Sequence, residues 1–225
     1  MSGKAVFYLK KVLGLVLSLF ILNVILIFFY PEVYRALNFL ITLLLTNLFF
    51  AVDILVRPLL TEESKKDQYQ TIFLFLFLFA CPFLITFPYL EYSFILKTVL
   101  PLEVTIAFWI LGTIMIILGG ITLVTSRVIL GVHGSLKIDI KENHKLIIKG
   151  PYQVIRHPIY AGILFILLGY SLSFSSIISS IIILLVLLPL GRGRMALEEK
   201  LLTQTFGDEY LAYMKRTKRL IPYLY

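Results

Sequence analysis

Long apolar runs separated by short polar breaks set the pattern of this chain. Runs at about 12–30, 36–56, 70–90 and 101–125 are bounded by proline or by charge, as at Pro31, Arg57-Pro58 and Pro101. Each is long enough, at about 1.5 Å per helical residue, to cross about 30 Å of hydrocarbon. Four membrane-spanning helices are expected there. A further apolar stretch, 159–190, carries a polar centre from Ser171 to Ser180. That interruption predicts two short helices folded back as a hairpin, with a single tilted helix as the competing reading. Two polar stretches, 126–157 and 191–225, are too long to be turns. In the second, the segments from Arg194 to Leu202 and from Tyr210 to Arg216 read as amphipathic helices.

Composition agrees with the pattern. Of 225 residues 59% are hydrophobic and 15% charged, more apolar surface than one soluble core can hide, so lipid is the expected solvent. Lys4, Lys10 and Lys11 ahead of an apolar run suggest a secretory signal. The run from Val12 to Tyr30 is longer than a usual signal core, however, and no small-residue cleavage site follows before Pro31, so it is read as the first span. Placing both termini in the cytosol leaves only Arg35 and Lys97, of 21 Lys and Arg, outside. This supports about six crossings with the amino and carboxy termini inside. The expected fold is an all-α, polytopic membrane helix bundle whose last two spans form the hairpin. Both polar stretches fall on the cytosolic side, and a fold that brings them together at the membrane surface would create a pocket there. No internal repeat or low-complexity linker divides it, so 1–225 is read as one domain, with spans in 1–125 and the chemistry in 126–225.

Charge and cysteine usage exclude several classes. The net charge of +8 arises from basic residues beside apolar spans, which suits anionic lipid headgroups and not nucleic acid. A lone cysteine, Cys81, allows no intrachain disulfide and makes no zinc site. The three histidines, His133, His144 and His157, are too few for a histidine-rich di-iron centre, so no metal is expected. Gly191-Arg-Gly193 stands outside any strand–helix context, and no dinucleotide or phosphate-loop motif occurs.

The remaining polar residues offer a few candidates. His157 ends the stretch Gly150-Pro-Tyr-Gln-Val-Ile-Arg-His157 and precedes Pro158, a residue suited to the first turn of a helix. Free N–H groups at that helix start, with the imidazole, would hold a polar or anionic group. Alternatively Arg156 and His157 reach to the membrane interface, with Tyr152 and Tyr160 in an aromatic belt. Arg194 and Glu198 lie four apart on one helical face, either as a surface ion pair or as a clamp in which the guanidinium grips a carboxylate or phosphate. Glu199 is expected on a different, solvated side. Asp53 precedes Arg57 by one turn, which suggests a mutually satisfied pair near the cytosolic end of its span.

Taken together, His144-Lys-Leu-Ile147, Gly150-Pro-Tyr152, Arg156-His-Pro-Ile-Tyr160, Arg194 with Glu198-Glu199, Phe206-Gly-Asp-Glu-Tyr210 and Leu220-Ile-Pro222 resemble the isoprenylcysteine carboxyl methyltransferase family. The phospholipid N-methyltransferases are among its relatives. The blocks stand in that family's order and spacing. The resemblance implies S-adenosylmethionine as cofactor, lined by His144, Lys145, Leu146, Ile147, Tyr152, His157, Pro158, Ile159, Tyr160 and Glu198. It implies that Arg194 meets a lipophilic or prenylated acceptor entering from the bilayer, with Arg194 and Glu198 as the catalytic residues. The host membrane would be a bacterial inner membrane or an endoplasmic reticulum. Where family members tend to carry a glutamine seven residues before the first histidine, this chain has Lys137, and His133 receives no role. Two other readings compete. A nicotinamide-dependent membrane reductase would share the carboxy-terminal architecture but usually has greater length. A non-catalytic scaffold would use its basic loops only to grip lipid.

Overall fold

The computed structural model describes residues 37–56, 87–96, 99–131 and 146–221, with backbone alone for 54–56. The expected first span, 12–30, and most of 70–90 lie outside these residues. Among the described residues the named α-helices are α1 Leu37–Val56, α2 Leu102–Leu130, α3 Pro158–Ser173, α4 Ile177–Phe206 and α5 Asp208–Arg216, with residues 87–91 also helical. A π-helical turn, Tyr92–Leu96, and a 3-10 turn, Gly150–Gln153, lie between them. Among the described residues extended pairing is limited to one parallel bridge, Ile155 to Lys218. The all-α expectation holds. Helices α2 and α4 are long and apolar enough to cross a membrane, and α1 and α3 are shorter apolar helices.

The tightest contact is between α2 and α3. A Cβ added at Gly119 would lie 2.8 Å from the carbonyl oxygen of Gly162, and one at Gly169 would lie 2.6 Å from that of Gly112. The pairs 112/169 and 119/162 run in opposite directions, so the helices are antiparallel. Seven residues, two helical turns, separate the glycines on each helix. This spacing puts both on one face and lets the backbones touch. Apolar side chains offer little drive for association in lipid, so close backbone packing of this kind takes their place.

Helix α1 runs parallel to α2 and is tied to it along its length. Trp109 Nε1 donates to the Asn38 carbonyl at 3.0 Å and to Thr42 Oγ1 at 3.1 Å. The Phe49 ring lies over Gly120, whose missing side chain makes the room. Near the other end, Arg127 Nε donates to Asp53 Oδ1 at 2.6 Å, with both side chains buried. Arg127 is therefore a partner of Asp53 that the sequence does not reveal, while Arg57 lies outside the described residues.

The hairpin is present, and its turn is well defined. Ser176 N donates to Ser171 O at 3.0 Å and Ser175 N to Leu172 O at 2.7 Å, the bond pair of a Schellman ending to α3. Ser175 takes the left-handed position, φ 57°, where glycine is usual. Phe174 stacks on Phe39 of α1 with ring centroids 4.7 Å apart, and Tyr89 and Tyr170 pack around it. Buried Glu91 then caps α4 from outside its own helix. It accepts from the N–H groups of Ile178 at 3.1 Å and Ser179 at 3.2 Å and from the hydroxyls of Ser176 and Ser179. A carboxylate at a helix amino terminus satisfies orphan donors and complements the helix dipole.

One expectation is corrected here. The second arm of the hairpin does not end near residue 190 but continues unbroken to Phe206, through Pro189, Gly191 and Gly193. Proline and glycine disfavour a helix interior, yet packing beyond them prevails. Met195 is fully buried against Ile155, Ala161 and Leu220. The apolar residues 177–190 thus form the membrane arm of α4, and its polar half, 191–206, projects past the start of α3. Gly207, at φ 50°, turns the chain into α5, where a side chain would be strained. The second predicted amphipathic helix is α5, with Tyr210 and Tyr213 buried.

Replacing Gly119 or Gly162 with leucine should force α2 and α3 apart at a point where the obstacle is backbone. Thermal unfolding in detergent should show a loss of about 1–3 kcal/mol or more for either variant, the usual range for overpacking. Leucine at Gly193, where an added Cβ meets nothing within 4 Å, should leave the midpoint unchanged or raise it.

Candidate active site

At the end of the bundle where α3 begins, three segments converge: the loop 146–157, the polar half of α4, and the strap 217–221 that follows α5. Strap and loop are joined by backbone. Arg156 N donates to Lys218 O at 2.7 Å and His157 N to Arg219 O at 3.0 Å. Helix α5 braces the 3-10 turn, since the Tyr213 hydroxyl donates to the Tyr152 carbonyl at 2.7 Å. Pro158 occupies the first turn of α3, as its lack of an N–H favours, and His157 stands at the cap position.

The imidazole of His157 is buried between two consecutive carboxylates. Its Nε2 is 3.3 Å from Glu199 Oε1 and its Nδ1 is 3.5 Å from Glu198 Oε2. Burial alone would push the ring towards its neutral form, but hydrogen bonds and charge from Glu198 and Glu199 outweigh it and raise the pKa above the ordinary 6.5. A carboxylate oxygen faces each ring nitrogen, so the protonated form of the ring has an acceptor for both of its protons.

Glu199 is the most enclosed of these acids. Arg156 Nε donates to its Oε1 at 2.8 Å, and Arg219 Nε donates to Oε2 at 3.0 Å with a second bond through Nη2. Burial pushes its carboxyl up, yet the bonds from His157, Arg219 and Arg156 hold it far below the usual carboxylate range. Arg156 also donates through Nη1 to the carbonyls of Met214, at 3.1 Å, and Thr217. It thereby satisfies carbonyls left open at the end of α5. The expectation that Glu199 faces solvent is overturned. Adjacent residues on a helix point about 100° apart, but here the strap, through Arg219, covers the direction that Glu199 takes.

Glu198 differs in keeping about a quarter of its side chain exposed (25%). Tyr160 donates its hydroxyl proton to Glu198 Oε1 at 2.6 Å, and Arg194 Nε donates to the Tyr160 oxygen at 2.8 Å. Arg194 Nε also lies 3.4 Å from Glu198 Oε1, so the pair at four-residue spacing does form. Burial pushes the Glu198 carboxyl up, and His157, Tyr160 and Arg194 bring it below its ordinary value. The result is an ionised carboxylate, partly open, beside a guanidinium and a phenol.

Of the residues singled out in the sequence, the structure brings together His157, Pro158, Tyr160, Arg194 and Glu198. Tyr152 is buried on the neighbouring 3-10 turn, Ile159 is half-buried on α3, and Leu146 and Ile147 lead into the turn half-buried. His144 and Lys145 lie outside the described residues. Sequence reasoning passed over Glu199, Arg219 and the inward role of Arg156. A signal was present in two adjacent pairs of opposite charge, Arg156-His157 and Glu198-Glu199, the first opening one arm of the hairpin and the second beyond the other.

Residues 107–209 match the family model of phospholipid methyltransferases. The chain is 35% identical to protein-S-isoprenylcysteine O-methyltransferase B of Arabidopsis thaliana over 121 residues, covering 52% of this chain and 61% of that protein. It is 30% identical to the protein-S-isoprenylcysteine O-methyltransferase of Saccharomyces cerevisiae over 117 residues, 51% of this chain and 49% of the yeast protein. The matched region thus spans about half to three-fifths of these relatives. In fold, the chain is similar to the eukaryotic intramembrane Ras methyltransferase, isoprenylcysteine carboxyl methyltransferase, with TM-score 0.58 at 17% identity over 97% of this chain and 95% of the other. The family resemblance read from the motif blocks is borne out.

Two titrations should be visible in stability. A folded-state pKa raised above the unfolded value makes the His157 contribution full below pH about 6.5 and lost as pH rises through the folded value. For Glu199 the sign reverses. Its contribution is full above pH about 4.5 and fades as pH falls below that value. Thermal midpoints from pH 4 to 9 should therefore fall at both ends, and His157→Gln should flatten the alkaline limb more than the acid one, where Arg156 and Arg219 still hold Glu199.

Proposed function

We propose that this chain, similar through its carboxy-terminal half to the phospholipid and isoprenylcysteine methyltransferases, is a membrane enzyme that transfers a methyl group from S-adenosylmethionine to a lipophilic acceptor. An isoprenylcysteine carboxylate or a lipid headgroup is the acceptor class. The observation that carries this reading is the chain of contacts Arg194, Tyr160, Glu198 and His157. It gathers the two most specific motif blocks, far apart in sequence, at the mouth of one helical hairpin.

The donor set fits the cofactor. Glu198 is ionised and partly exposed, able to take a cationic or hydroxyl-bearing group, and half-buried Ile159 and Tyr160, backed by buried Tyr152, His157 and Pro158, would form the adjoining wall. Leu146 and Ile147, with His144 and Lys145 before them, would complete the wall. When bound, the cofactor supplies an electrophilic methyl group on a sulfonium. The work left to the protein is alignment and electrostatics. Glu198 provides a compensating charge next to that cation. Arg194 orients an acceptor carboxylate by two-point hydrogen bonding. The lipid-facing hairpin keeps the reacting ions poor in water.

A carboxylate acceptor needs no general base, and the geometry suits that case. Both ring nitrogens of His157 already face carboxylate oxygens, so neither is turned towards a proton on the acceptor. An amine or thiol acceptor would have to lose its proton to Glu198 or to solvent.

The topology proposed with this function has about six crossings, both termini inside and the site facing the cytosol. The parallel run of α1 and α2, with α3 antiparallel to α2, supports it, because Asp53, Arg127, His157 and Glu198 then lie at one end of the bundle.

Calorimetry with S-adenosylmethionine and its demethylated product on detergent-solubilised protein tests the reading. Wild type should bind both, and Glu198→Ala and His157→Ala should weaken binding by about 10-fold to 100-fold, the worth of a charge-assisted hydrogen bond. Folded wild-type protein that binds neither compound, with lipid added back, would overturn it.

A further inference from the structure

Glu199 is 4% exposed, so it has little surface to offer a ligand, yet two guanidinium groups and an imidazole converge on it. Its two oxygens take Arg156 from the loop, Arg219 from the strap and the Nε2 side of His157 at the start of α3. Arg156 and His157 are at the same time pinned by backbone bonds to Lys218 and Arg219 of the strap. All of these tethers meet one helical step from Glu198, whose carboxylate faces the other nitrogen of the same imidazole.

Resting on the methyl-donor reading above, we propose that Glu199 is the positioning residue of the site: its buried charge fixes His157 as a two-proton donor and fastens loop and strap to α4, so that Glu198 meets its ligand ionised and already aimed. The two acids divide the work. Glu199 orders the imidazole and the guanidinium groups, and Glu198 uses the result. The groups that face His157 are Glu198 and Glu199 from α4, Tyr160 from its own helix with ring centroids 5.8 Å apart, Arg156 beside it, and Arg219 through Glu199. Neutralising Glu199 removes one of two anions from this set and leaves both guanidinium groups, so the imidazolium loses support. A purely architectural Glu199 would lower the melting temperature without moving the titration of His157.

The test uses the full chain in detergent or nanodiscs, with isotope-labelled histidine followed by NMR and His157→Gln to assign the resonance. In wild type His157 should titrate above the ordinary value. In Glu199→Gln its pKa should fall by about 1 unit or more. The same variant should bind S-adenosylmethionine at least tenfold more weakly at a pH between the two measured His157 pKa values, with a smaller loss at a pH below both, where the ring is protonated in both proteins. A wild-type His157 that titrates at or below the ordinary value overturns the proposal, as does a folded Glu199→Gln with wild-type affinity at both pH values. If Glu199→Gln does not fold, Arg219→Gln decides. It keeps the buried anion but releases the strap, and should weaken binding severalfold while His157 titrates no lower than in wild type. Unchanged affinity there overturns the proposal. No binding by folded wild type overturns the methyl-donor reading and this one with it, an outcome distinct from equal binding by wild type and Glu199→Gln.

Discussion

The contact of α2 with α3 is the constraint on which the rest depends. Two carbonyl-to-glycine approaches bring these backbones together where no side chain fits. Because the helices are antiparallel, fixing them side by side also fixes which ends are neighbours. The last turn of α2, with Arg127, comes beside the start of α3, with His157. The first turns of α2 lie beside the hairpin turn at the opposite end. Helix α1 is held at both levels, by Trp109 near one end and by Arg127 near the other. A site assembled at the start of α3 therefore stands on a base whose geometry is set by backbone packing.

The two ends of the hairpin use buried carboxylates in different ways. At the turn, Glu91 accepts only from neutral groups, two N–H and two hydroxyls, and its task is to close the open end of α4. At the mouth, Glu198 and Glu199 meet cations. There the cost of burial is offset by opposite charges at hydrogen-bonding distance. Retaining partly open charge at the mouth is what gives that end its chemistry, whereas Glu91 is spent entirely on structure.

Exposure separates the neighbouring acids of the mouth. They share a helix, a charge and a histidine partner. The strap 217–221 covers Glu199 and leaves part of Glu198 open, so a single turn of backbone after α5 decides which acid is available to a ligand. Arg156 contributes to both features. It binds Glu199 through Nε and ends α5 through Nη1, which makes the last helix and the loop 146–157 one unit.

Much of this was legible in the sequence. Apolar run length fixed α1 and α2, and the polar interruption from Ser171 to Ser180 announced the hairpin. The order and spacing of the blocks around His157 and Glu198 carried the family resemblance. These are local or linear properties, and linear order is enough to state them. What tertiary structure alone decided concerns partners in space. The pairing of Asp53 with Arg127 joins different helices, so no local spacing announces it. The continuation of α4 through Pro189 and Gly193 rests on Met195 finding a pocket between the loop and the strap, which outweighs local propensity. The burial of Glu199 required the strap to fold back across α4. A helix period shows which way a side chain points, but what it meets there depends on the rest of the chain.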